Sequence, residues 1–70
     1  MAIESFDQYD IIELTEDLNA KLRTGMKGTI LEKYNEDFFE IEVLDCEGVN
    51  ICFGGHSTFI IRKCQIRKIG

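Results

Sequence analysis

Seventy residues, 44% of them hydrophobic and 30% charged, make one small globular domain with a marginal core and little room for an enclosed substrate pocket beside it. Thirteen acids against eight lysines and arginines leave a net charge of −5, which argues against general nucleic-acid binding, because that depends on neutralising phosphates. No apolar run is long enough to span a membrane, and Met1-Ala2-Ile3-Glu4 lacks the basic start and apolar centre of a signal peptide, so a cytoplasmic protein is expected.

Residues 1–8 read as an extension ahead of a single domain over 9–70. Residues 10–23 carry two competing signals. Ile11, Leu14, Leu18 and Leu22 follow the 3-4-4 spacing of one helical stripe, Asp10 and Glu13 resemble a capping pair, and Gly25 would close the helix. The rival is a short strand over Asp10–Leu14 with Ile12 and Leu14 inward, followed by a long loop. Further on the reading is β. Gly28–Tyr34 forms a strand entered through Gly25-Met26-Lys27-Gly28, and Asn35-Glu36-Asp37 turns it back. From Phe38 to Asp45, Phe39, Ile41 and Val43 share one face, while Glu40, Glu42 and Leu44 share the other, with Phe38 in the second phase. Asp45-Cys46-Glu47-Gly48 is a turn, and Val49–Phe53 is expected to return as the second strand of a hairpin. Gly54-Gly55-His56-Ser57 is a loop or bulge, Thr58–Ile61 is β-rich, and Gln65–Ile69 is a short last strand.

The sequence from Tyr9-Asp10-Ile11-Ile12 and Leu14 through Asp17-Leu18 to Leu22-x-x-Gly25-x-x-Gly28-Thr29-Ile30-Leu31-Glu32-x-Tyr34 resembles a family of small uncharacterised bacterial domains. Phe39-Glu40-Ile41-Glu42-Val43, Asp45, Gly48 and a closing Ile66-Arg67 continue the likeness over residues 9–69. The Gly-x-x-Gly-Thr element is also similar to the turn into the second strand of KOW and other SH3-like barrels. The resemblance implies an all-β fold, a five-stranded SH3-like barrel whose long first loop is residues 15–27, and so favours the strand over the helix at 10–14. The stretch Ile51–Ile61 is longer than usual for such domains.

Chemistry-bearing residues are sparse. Cys46, Cys52, Cys64 and His56 follow Cys-x5-Cys-x3-His-x7-Cys, without the tight knuckle that holds tetrahedral zinc, so no metal or other cofactor is expected. An odd number of cysteines suits reduced cytosolic thiols better than a disulfide framework. His56-Ser57 in a Gly-Gly loop lacks the positioned third group and oxyanion donors of a nucleophilic site. Glu40 and Glu42 share a strand face but read as solvated acids. The expectation is a protein that is not an enzyme.

Charge runs in blocks: net −6 over residues 1–20, +3 over 21–30, −6 over 31–50 and +4 over 51–70. A KOW-like nucleic-acid module using Lys21, Arg23, Lys27, Arg62, Lys63, Arg67 and Lys68 is the alternative these blocks raise. Outward Phe38 and Leu44, flanked by Glu40 and Glu42, point instead to a protein interface, unless Ile3 or Phe6 covers that face. The expected function is therefore protein binding, by an antitoxin- or immunity-like factor or a mobile-gene product. Its partner is another protein or a second copy, with a dimer expected first, or else the domain only associates with itself.

Overall fold

Strand β1 (Ile11–Leu14) decides the contest over residues 10–23: in the computed structural model, which describes residues 5–69, no helix crosses this segment. Ile12 and Leu14 are fully buried whereas Ile11 is exposed, an alternation that only a strand produces. Strands β2 (Lys27–Lys33) and β3 (Phe38–Leu44) follow, then β4 (Phe59–Arg62), a 3₁₀ turn at Lys63–Gln65, and β5 (Ile66–Lys68). All pair antiparallel in one sheet of order β4-β3-β2-β1-β5.

One face of every strand enters the same core. Ile12 and Leu14 come from β1, Ile30 from β2, Phe39, Ile41 and Val43 from β3, Ile61 from β4 and Ile66 from β5. A sheet that buries one face without a second layer must curl on itself, which makes this a small barrel-like fold. Two features bend it. Pairing between β2 and β3 shifts register between Ile30 and Glu32, leaving Leu31 as an extra residue, and Gly28 lets the β3 backbone approach closely. The 3₁₀ turn ties the outer strands together. The Lys63 N–H donates to the Asp37 carbonyl at 2.8 Å, and the Thr15 N–H donates to the Gln65 carbonyl at 2.9 Å. The Gln65 amide oxygen accepts from the Arg62 N–H at 2.9 Å, which caps the free edge of β4.

The long first loop is held by its own polar residues. Asn19 Oδ1 accepts from the main-chain N–H groups of Lys21 and Leu22, at 2.8 and 2.9 Å. Asp17 Oδ1 accepts from both the N–H and the hydroxyl of Thr24, at 2.7 and 2.9 Å. This folding back sends Leu22 into the core, with Leu18 packed against it, so two members of the supposed helical stripe turn inward from a loop. Phe6 also enters the core and meets Phe39 edge to face, the centroids 5.5 Å apart. It does not cover Phe38 and Leu44, which lie on the other face of β3; Ile3 lies outside the described residues.

The expected second hairpin strand over Val49–Phe53 does not form. Among the described residues its main-chain links to β3 are a single bridge, Leu44 to Asn50, and the bond from the Ile51 N–H to the Val43 carbonyl at 2.8 Å. The partner of β3 is β4, across Phe38–Ile41. The returning chain thus lies along one edge of β3 in two pieces, interrupted by an excursion. At its tip Phe53 and His56 exchange main-chain hydrogen bonds, at 2.9 and 3.1 Å, around Gly54 and Gly55, both at positive φ. Two consecutive positive-φ glycines make the tightest hairpin turn, and that turn stops the strand.

Candidate partner-binding face

The outer face of β3 and β4 presents an aromatic and aliphatic surface with one oriented cation. Phe38 pairs with Arg62 and Glu40 with Ile60, so Phe38 and Ile60 are diagonal neighbours on the same side. Ile60 is 65% exposed and Phe38 38%. The Arg62 guanidinium lies over the Phe38 ring, 5.6 Å from its centroid. Strand alternation produces this arrangement directly: Phe39 and Ile61 point inward, so their neighbours must point out.

Tyr34, also exposed, donates its hydroxyl to Glu40 in the middle of this face. That bond, with a further one from Thr58, holds the Glu40 carboxyl below its ordinary range, and the same bond pushes the Tyr34 hydroxyl up. Glu42 accepts from the Asn50 side-chain amide at 3.4 Å. Both glutamates are therefore engaged by neighbours. Leu44 belongs elsewhere. It stands at the far end of β3 from Phe38, about 20 Å away at strand spacing, half-buried in a cleft with Met26 and Lys27.

The seven basic candidates separate in the same way. Arg23 pairs with Asp17 at 3.2 Å, Arg67 with Glu13 across the β1–β5 ladder, and Lys68 with Asp10 at 3.2 Å. Lys21 donates to the Cys52 carbonyl at 3.5 Å. Lys27, Arg62 and Lys63 have no carboxylate partner among the described residues. Cys46, Cys52 and Cys64 are all exposed free thiols. His56 contributes its backbone to the tight turn. Among the described residues no cluster of His, Cys, Asp or Glu is arranged to hold a metal ion, and no helix is long and apolar enough to cross a membrane.

Sequence reasoning passed over Ile60 and Tyr34 as surface residues. The signal for Ile60 was present: in a strand reading Phe59-Ile60-Ile61, alternation forces a large apolar side chain outward whichever phase is buried. Tyr34 lies just past the end of β2, where its outward course depends on the turn that follows.

Fold and face together define a small, nearly all-β, barrel-like domain with an apolar outer surface on one pair of strands. The chain belongs to the family described as a domain of unknown function, DUF4926, whose model matches residues 8–53, more than half of its length. No curated protein and no solved structure matches it. The matched span holds β1, β2 and β3, whereas Phe6, β4 and β5 lie outside it.

Proposed function

We propose that this is a non-catalytic protein-binding module with an SH3-like barrel, whose contact surface is the outer face of β3 and β4. The observation that carries this reading is the pair Phe38 and Ile60, exposed on adjacent strands beside an Arg62 whose guanidinium lies over the Phe38 ring. Tyrosine, phenylalanine and arginine are the residues from which interface centres are built. The partner is another protein chain, or a second copy in a dimer. Small size and net acidity suit a cytoplasmic bacterial factor of the antitoxin or immunity kind. Nucleic acid is the weaker partner, because Arg23, Arg67 and Lys68 already face carboxylates that would repel phosphate.

Sedimentation equilibrium and pull-down with wild type and a Phe38→Ser/Ile60→Ser double variant test this, alongside a filter-binding titration with duplex DNA. Each exposed apolar side chain buried on association is worth up to about 1.5–3 kcal/mol, so the double variant is expected to weaken association at least tenfold while keeping its fold. Association unaffected by the double substitution would sink the reading. Micromolar duplex affinity with a steep salt slope would replace it with the nucleic-acid alternative.

A further inference from the structure

Where β4 runs into the 3₁₀ turn, an open groove of about 350 Å³ is lined by Phe6, Asp37, Arg62, Lys63, Cys64 and Ile66. Its apolar side is the end of the core, since Phe6 and Ile66 are 3% and 5% exposed. Its basic side is the consecutive pair Arg62 and Lys63. Four of the eight basic residues, Arg23, Lys33, Arg67 and Lys68, are matched with carboxylates. Arg62 and Lys63 have no such match among the described residues, in a chain of net charge −5. Asp37 is the one acid on the groove, so the lining keeps an excess of one positive charge. The Arg62 guanidinium carbon lies over the Phe38 ring, 5.6 Å from its centroid, and a guanidinium can still bond a carboxylate through its N–H groups.

We infer that this groove anchors an acidic segment of a partner protein, one apolar side chain resting against Phe6 and Ile66 while flanking carboxylates bond Arg62 and Lys63. The inference rests on the protein-binding reading and names the chemistry of the partner. An acidic segment fits better than a second copy of the chain, because a symmetric contact here would bring two Arg62-Lys63 pairs together.

The test is an NMR titration of the full-length ¹⁵N-labelled chain with the peptide acetyl-Gly-Glu-Leu-Glu-Gly-amide and with its Gln-Leu-Gln counterpart. The acidic peptide is expected to shift the amides of Arg62, Lys63, Cys64 and Ile66 with millimolar affinity, about tenfold tighter than the neutral one, and to weaken as salt rises. Arg62→Gln/Lys63→Gln, checked for a dispersed spectrum, should lose that preference, and Lys63→Gln alone should lose part of it without disturbing the contact of Arg62 with Phe38. Equal binding of the two peptides, shifts mapping elsewhere, or no shift at saturating peptide would each overturn the inference. Association of the whole protein that still depends on Phe38 and Ile60 in that event would leave the broader reading standing.

Discussion

A β-carbon added to Gly28 would stand 2.2 Å from the main-chain oxygen of Glu42. Gly28 sits mid-sheet, paired with Ile12 on one side and Val43 on the other, so neither neighbouring strand can retreat without disturbing the core. Gly28→Ala is therefore expected to destabilise the domain by about 1–3 kcal/mol, although alanine would otherwise favour a strand over glycine. The urea midpoint of the purified variant measures this, and an unchanged midpoint would mean that β2 and β3 part easily.

Phe6 precedes the span shared with the family, yet it is as buried as the strand residues and packs edge to face on Phe39. Phe6→Ala is expected to cost about 3–5 kcal/mol, most of the stability of a domain this small. By the same logic a fragment of residues 8–53 should not fold alone, because it lacks Phe6, Ile61 and Ile66 from the core. A dispersed amide spectrum from that fragment would contradict this.

Among the described residues three carboxyls, those of Asp10, Asp17 and Glu40, are held below their ordinary values. The Asp7 N–H does this for Asp10, the Thr24 N–H for Asp17, and the Tyr34 hydroxyl for Glu40. A lowered folded pKa adds stability that is complete above the unfolded pKa, about 4, and fades as pH falls through the folded value. Urea midpoints should therefore drop between neutral pH and pH of about 2. Tyr34→Phe and Asp17→Asn should each flatten that drop. Midpoints of wild type and variants that fall in parallel would show that these contacts do not couple to folding.

Cys46, Cys52 and Cys64 are exposed and free, so replacing all three with serine should change stability by no more than about 0.5 kcal/mol. Melting with and without chelator should coincide for the reduced protein. Under oxidising conditions, covalent dimers should form from wild type and not from the triple variant. One equivalent of zinc, lost together with the fold, would refute this.

How legible the chain was depended on the range of the forces at work. β3 could be read because alternation is local: Phe39, Ile41 and Val43 must share a face whatever surrounds them. The turns at Asn35 and Gly48 carried their own chemistry; Asn35 Oδ1 accepts from the Asp37 and Phe38 N–H groups, at 2.8 and 2.9 Å. Residues 10–23 were ambiguous because Leu18 and Leu22 are apolar for a tertiary reason, and their spacing from Ile11 and Leu14 imitates a helix. The candidate face was half legible: Phe38 followed from its phase in β3, but its partners Ile60 and Arg62 are more than twenty positions away, beyond any local pattern.

The sequence by itself determined the strand character of β2 and β3, the inward set Phe39, Ile41 and Val43 of β3, and the acidic balance, since each depends on neighbouring residues or on sums over the chain. Only the tertiary structure decided which segment completes the sheet edge beside β3, that Phe6 belongs to the core, and that Arg62 rests on Phe38. These depend on contacts between residues far apart in the chain. Gly54 and Gly55 show the difference: either glycine alone permits many conformations, but both at positive φ turn the chain back on itself, and the edge of β3 passes from Asn50 to β4.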